Sequence, residues 1–183
     1  MADASVRPAR AEDAQAVATV QLRVWRSAYA EVVPSDVLGA LSPDELADRW
    51  AQAAASPPSA RHLLLVACEG ADVVGFAAVT PAEDDDADAA DAELAALLVD
   101  PDHGRAGHGS RLLAAAVESM REQGVRRAQA WLLSTDDALR ALLTSAGWAP
   151  DGATRDLDMG RLVHQVRLHA DVTPDEGTDE QVD

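Results

Sequence analysis

The spacing of apolar residues changes several times along the chain, and each change marks an element. Ser5 to Ala9 reads as a short strand, after which Glu12 and Asp13 open a helix striped by Val17, Val20, Val24 and Ala28 and ended by Pro34. A helical pair is predicted over Ser35 to Leu41 and Pro43 to Ala55, with Ser42 placed as a cap and Glu45 three residues on. The Ser-Pro-Pro-Ser stretch at 56–59 forces a loop.

Two apolar runs follow, His62 to Cys68 and Val73 to Val79, joined by Glu-Gly-Ala-Asp, a turn composition that predicts an antiparallel pair. Residues 81–91 are nearly all Pro, Ala, Glu and Asp and read as a solvated loop. Ala92 to Val99 is apolar almost throughout, the signature of a strand covered on both faces and central in its sheet. Pro101 and Gly104 break it, and a helix from about Gly109 to Gln123 aligns Leu112, Leu113, Ala116, Val117 and Met120. Gly124 stops that helix. A strand over 126–133 leads to a helix over 136–146, ended by Gly147, and to closing strands near 154–158 and 161–168.

This order predicts an α/β (α+β) fold, a central sheet with helices packed on its faces, in one domain over residues 1–170. Residues 171–183 carry almost no apolar side chains and read as an acidic disordered tail.

Composition narrows the function. The 183 residues are 48% hydrophobic, enough for a core, and no apolar run approaches the roughly 18 residues of a membrane span. With 32 acidic groups against 15 basic ones and a formal charge of -17, the chain lacks the basic footprint that nucleic acid or an anionic membrane demands. The N-terminal decapeptide has no apolar signal-peptide stretch, so a cytoplasmic location is expected. Cys68, the single cysteine, allows no intrachain disulfide and reads as a packed thiol, and the five histidines show no metal-ligand spacing, so no metal is expected.

The segment richest in chemical information runs from Val99 to Leu113, where a buried strand passes through a Gly-rich turn directly into an amphipathic helix. Such a junction presents backbone N–H groups at a helix N-terminus, where the dipole favours an anion such as a phosphate. A tight connection needing glycine for backbone reasons is the other reading. The sequence has neither a Walker Gly-Lys-Ser/Thr nor a dinucleotide fingerprint opening the chain.

Strand 92–101, the loop and helix to 123, strand 126–133 and Ser-Ala-Gly-Trp148 together resemble the acetyl-CoA core of the GNAT-family N-acetyltransferases, and the resemblance extends from Val6 to about residue 168. It implies a mixed, mostly antiparallel sheet of six to seven strands with helices on both faces. The family's loop pattern is Arg/Gln-x-x-Gly-x-Gly/Ala. Gly107 and Gly109 match its glycines, whereas Gly104 falls on the Arg/Gln position and the arginine follows at Arg105. The resemblance assigns acetyl-CoA, as cosubstrate, to the backbone of Val99 and the amides of Arg105, Ala106, Gly107, His108, Gly109 and Ser110. Arg111 either adds charge toward the phosphates or is simply exposed.

Acyl transfer needs an acceptor amine stripped of its proton. Glu93 lies at the Ala-Glu-Leu position where the family often carries a general base, and burial beside acidic neighbours would raise its pKa usefully. A solvated end to the acidic loop is the alternative. The family's later positions for Asn and for a Tyr that protonates the thiolate are Asp136 and Leu143 here, so water is expected to protonate it. The stretch from Trp25 to Pro34 resembles the Trp-x-x-x-Tyr…Pro segment of a poorly characterised bacterial branch, making Trp25, Tyr29 and Glu31 candidate acceptor contacts, with core packing the alternative for Trp25.

The expectation is therefore direct acetyl transfer to a primary amine of a small molecule or peptide, with a non-catalytic acyl-CoA-binding module as the alternative and a homodimer allowed. Six of the acidic residues lie in 171–183 and six more in 83–91. Because the second group precedes Glu93, a cationic amine is the favoured acceptor.

Overall fold

The computed structural model describes residues 4–173. Seven strands, β1 (Ala4–Pro8), β2 (Leu63–Glu69), β3 (Asp72–Pro81), β4 (Ala92–Val99), β5 (Arg127–Leu133), β6 (Ala149–Asp158) and β7 (Leu162–Asp171), form one sheet in the order β1-β2-β3-β4-β5-β7-β6. Every pair is antiparallel except β4 with β5. The helices are α1 (Ala14–Ala28), α2 (Ser35–Ala40), α3 (Pro43–Ala55), α4 (His108–Glu122) and α5 (Asp137–Ser145).

Alternation along the strands feeds two cores. On one face Val17, Val20 and Val24 of α1 pack on Val66, Cys68 and Phe76, with Trp50 of α3 edge-on to Phe76 at 5.0 Å. On the other, Leu112, Leu113, Ala116 and Met120 of α4 and Leu143 of α5 close over Leu65, Val79, Leu94 and Leu97. Cys68 is buried and unbridged, as its apolar neighbours suggest. At the N-terminal edge, Arg7 grips Asp13 with two hydrogen bonds of 2.7 and 2.9 Å, and these hold the Asp13 carboxyl below the usual carboxylate range.

β4 is central, and its pairing with its two neighbours differs. It follows β3 along its length, with Ala95 bulged out between the pairs Val79↔Leu94 and Ala78↔Ala96. With β5 it shares only the pairs Ala92↔Ala128 and Glu93↔Gln129. Beyond Glu93 the two strands part, and the β5-facing backbone groups of residues 94–99 line an opening in the sheet.

Three boundaries differ from the expected ones. α1 stops at Ala28, before Pro34, because Tyr29 turns the chain, its carbonyl accepting from the amides of Val32 and Val33. β6 begins at Ala149, across a register irregularity between Pro150 and Thr154. Pro150 is tolerated there because β6 is an edge strand, where no ladder donor is required of it. β7 continues to Asp171 and Val172 is buried, its carbonyl held by Arg121 at 3.0 Å, so the first residues assigned to the tail belong to the sheet. The remaining tail residues, 174–183, lie outside the described residues. No helix among the described residues is long and apolar enough to cross a membrane.

Gly75 is hemmed in by β4 and α4: a Cβ there would lie 2.9 Å from the Leu98 carbonyl oxygen and 3.3 Å from Leu112 Cδ1. Gly75→Ala is therefore expected to destabilise the fold by about 1–3 kcal/mol through overpacking. A melting temperature several degrees lower in calorimetry checks this, and an unchanged one would mean that the strand pair yields freely.

Candidate active site

The parting of β4 and β5 opens a groove with two connected compartments. The larger, about 540 Å³, is lined by Leu97 to Val99, the loop residues His103 to Arg105 and Gly107 to Ser110, and Asp136, Leu139 and Leu142 around α5. The smaller, about 320 Å³, is walled by Trp25, Tyr29, Trp50, Leu94 to Leu98, Trp131, Leu157 and Gln165. Tyr29, Leu97, Leu98 and Leu139 belong to both walls and mark the junction.

The loop of the larger compartment is built to start α4 abruptly. Asp100, buried, accepts from the Asp102 amide and is clamped by Arg23 at 2.5 Å, which fixes one turn of 3-10 helix over Pro101–His103. The chain then takes left-handed conformations at Arg105 (φ 63) and Gly107 (φ 80), and α4 begins at His108. Gly104, by contrast, has φ -63, which any residue adopts. The exchanged order of glycine and arginine thus places the only positive-φ side chain among the described residues at Arg105, at a strain of about 1 kcal/mol. Gly109 allows close approach, since a Cβ there would stand 3.1 Å from Leu142 Cδ2. The result is a set of helix-start N–H groups facing a cleft, the arrangement that binds anionic groups.

Arg111 does not reach into the cleft but folds back to donate to the Ala106 carbonyl at 2.9 Å, so it braces the loop. His108 is buried; among the described residues neither ring nitrogen has a hydrogen-bond partner, and Nε2 lies 3.6 Å from Glu69 Oε2. His103 Nδ1 meets that same oxygen at 2.8 Å, and this contact holds the Glu69 carboxyl below its ordinary value. Among the described residues no cluster of histidine, cysteine and acidic groups could hold a metal ion.

Glu93 is half-buried on β4, opposite Gln129. Burial pushes its carboxyl above the ordinary value, Arg155 works against that, and Asp84 works with it. Glu93 lines neither compartment, whereas the next two residues of β4, Leu94 and Ala95, wall the smaller one. Of the other candidates, Trp25 and Tyr29 line the smaller compartment, with ring centroids 6.3 Å apart. Glu31 instead borders a separate hollow with Ser134, Thr135 and Arg161.

The acidic loop is held against the sheet by hydrogen bonds and ion pairs. Asp84 accepts from Gln129 and, at 2.9 Å, from Trp131 Nε1. Arg167 takes Asp86 through contacts of 2.7 and 2.5 Å and Asp151 at 2.7 Å, and Arg127 takes Asp91 at 2.9 Å. Those bonds hold the Asp86 carboxyl down at about 2. Asp84, Asp86 and Asp91 are therefore already engaged by donors of this chain, which weakens the case for the loop as a lure for cationic amines. On its strand Trp131 reads as an ordinary large core side chain, and Gln129 and Arg155 carry no motif, but Gln129 and Trp131 alternate with the core-facing Ala128, Ala130 and Leu132, a two-residue period that marks the opposite face.

The junction itself is held by one hydrogen bond. Tyr29 donates its hydroxyl to Asp136 Oδ2 at 2.9 Å, while Asp136 Oδ1 accepts from the Leu139 amide at 3.0 Å and caps α5. Leu143 is fully buried in the α4-side core. Burial, and then the Asp136 charge, push the Tyr29 phenol above its ordinary value of 10.0. As Tyr29 is the chain's one tyrosine, ultraviolet titration reads it alone. Phenolate absorbance should be nearly absent at a pH of 10.0, where an ordinary phenol is half ionised. A midpoint at the ordinary value would show that the Asp136 contact does not form.

Comparison with known proteins accounts for this architecture. The family model described as the acetyltransferase (GNAT) family matches residues 13–148. The chain is 28% identical over 135 residues, 74% of its length and 75% of the other's, to YuaI, an uncharacterised N-acetyltransferase of Bacillus subtilis (strain 168). Its fold is similar to that of the PaiA N-acetyltransferase from Thermoplasma acidophilum, solved in complex with coenzyme A (TM-score 0.71, 17% identity, 92% of this chain and 99% of that one). It is equally similar to a ribosomal-protein-alanine N-acetyltransferase from Brucella melitensis (TM-score 0.72, 20% identity, 91% and 99%). A parted central sheet, a Gly-rich helix start beside the opening and a family match across most of the chain agree: this protein is a member of the GNAT acetyltransferase family.

Proposed function

We propose that this protein moves an acetyl group directly from acetyl-CoA to the primary amine of a small molecule, with Glu93 as the base. The observation that carries the reading is the meeting of the two compartments at Tyr29, Leu97 and Leu98, which gives donor and acceptor one shared wall of strand backbone. The smaller compartment, about 320 Å³, is at the low end of the roughly 300–1,000 Å³ typical of small-molecule sites, which favours a compact acceptor over a peptide.

The larger compartment suits the donor. The amides of Arg105 to Ser110 would hold its phosphates, the backbone of Val99 would receive its pantetheine arm, and Arg111 would hold the loop in shape through Ala106. That the Thermoplasma protein of the same fold was solved with coenzyme A supports a coenzyme A thioester as the donor. When bound, acetyl-CoA supplies the activated thioester carbonyl. The β4 backbone, freed from β5 beyond Glu93, would orient that carbonyl beside the acceptor.

Glu93 would take the proton of the acceptor ammonium through water, because it immediately precedes Leu94 and Ala95 of the compartment wall without lining the compartment itself. Its raised pKa brings it closer to neutrality and makes it a better acceptor of that proton. Tyr29 has its own proton committed to Asp136, and Leu143 has none to give, so solvent would protonate the departing thiolate.

Thiol release from acetyl-CoA with a panel of amines, alongside calorimetry with acetyl-CoA alone, tests the reading. Binding with turnover is expected, and binding without turnover of any amine would make the protein a non-catalytic acyl-CoA-binding module. Glu93 is active as the carboxylate, so kcat/KM should fall as pH drops through a midpoint above the ordinary 4.5. Glu93→Gln should lower kcat/KM by about 100-fold and abolish that acid limb. An undiminished rate near neutral pH would remove Glu93 from the mechanism.

A further inference from the structure

Two guanidinium groups lie over the Trp131 ring on the wall of the acceptor compartment, Arg155 at 4.3 Å and Arg167 at 5.5 Å from its centroid. Their surroundings differ. Arg167 is buried and bonded by Asp84, Asp86 and Asp151. Arg155 has an amide in place of a carboxylate: its Nε donates to Gln165 Oε1 at 2.7 Å, and among the described residues it forms no ion pair. Acids are not scarce, since the chain has 32 of them for 15 bases. Arg155 is not itself a lining residue of the cavity, but it stacks on one lining residue, Trp131, and donates to another, Gln165, with Glu93 near enough to feel its charge but not bonded to it. An arginine so placed has Nη groups to offer an anion.

Its direction follows from the sheet. Arg155 stands opposite Gln165 in the β6–β7 ladder and two residues before Leu157, so all three share a face, and Gln165 and Leu157 both line the compartment. With Nε engaged by Gln165 and the plane stacked on Trp131, the two Nη groups form a pre-oriented fork that matches the two oxygens of a carboxylate. Glu93, proposed to act on the amine, is near enough to sense the Arg155 charge, so a negative and a positive group stand close together on the strands that wall the cavity.

We infer that Arg155 binds a carboxylate on the acceptor, and that the acceptor is therefore an amine that also carries a carboxylate, as an amino acid does. This rests on the acetyl-transfer reading and specifies its substrate class. It also replaces attraction of a cationic amine by the acidic loop with recognition of an anionic group, in keeping with the prior commitment of Asp84 and Asp86 to Arg167.

The test compares free amino acids with their carboxamides and with the matching decarboxylated amines, using thiol release for kinetics and calorimetry on the CoA-loaded protein for binding. The wild-type protein should use the acids in preference to both. Arg155→Gln should raise KM for the acids by roughly 30-fold, with kcat within a few-fold and with acetyl-CoA affinity and melting temperature unchanged. Arg155→Lys, which keeps the charge without the fork, should recover part of that loss, and the calorimetric affinity for the acids should follow the same order. Equal use of acids and amides by the wild type, or an equal loss on both in Arg155→Gln, overturns the inference. Turnover of carboxylate-free amines but not of acids overturns it while leaving acetyl transfer intact, whereas acetyl-CoA binding without turnover of any amine overturns the transfer reading itself.

Discussion

The early end of the pairing between β4 and β5 is the constraint on which the rest depends. Two parallel strands cannot be joined by a tight turn, so the chain must cross over between them, and α4 is that crossover. Its first turn therefore has to sit at the carboxyl end of β4, at the mouth of the opening that the strands leave when they part after Glu93 and Gln129. The helix-start amides, the freed strand backbone and the junction residue Tyr29 converge there as a consequence of one topological choice. The bulge at Ala95 belongs to the same feature, since it turns the β4 wall of the smaller compartment beside the residue proposed as base.

Charge is distributed around that opening with a clear division of labour. The acidic loop before β4 is tied to the sheet by Arg127 and Arg167 and by the donors of Gln129 and Trp131, and it acts as a fixed rim. Tyr29 and Asp136 link the end of α1 to the start of α5 across the groove, so the two compartments keep a common boundary. His108 remains a buried imidazole with no hydrogen-bond partner among the described residues, next to Glu69 at the foot of the loop. Such a group carries a desolvation penalty of about 1–3 kcal/mol, against which only the Glu69 carboxylate at 3.6 Å is set.

Much of this was legible in the amino-acid order. The stripe of Val17, Val20 and Val24, the doubly apolar run of Ala92 to Val99 and the Gly-rich passage into α4 specify their elements because each is a local periodicity or a local backbone demand. Those same segments carry the family resemblance, so the fold class and the donor side of the groove could be read together. The β6 start at Ala149 could not, because whether Pro150 is tolerated depends on β6 lying at the sheet edge.

Local pattern thus determined the order of elements and a helix start suited to anionic groups, while the resemblance to the GNAT family implied the fold type and the candidate base at Glu93. Tertiary structure decided what the side chains from distant elements do together. Arg155, Trp131 and Gln165 come from three strands, and only the sheet order reveals that one of the two arginines over Trp131 is paired with aspartates and the other is not. Likewise, the charge of -17 said nothing of how many acids were already paired. Net charge sums over the whole chain, whereas recognition depends on which charges remain without a partner at a particular surface, and that pairing is set by contacts between residues as far apart in sequence as Asp86 and Arg167.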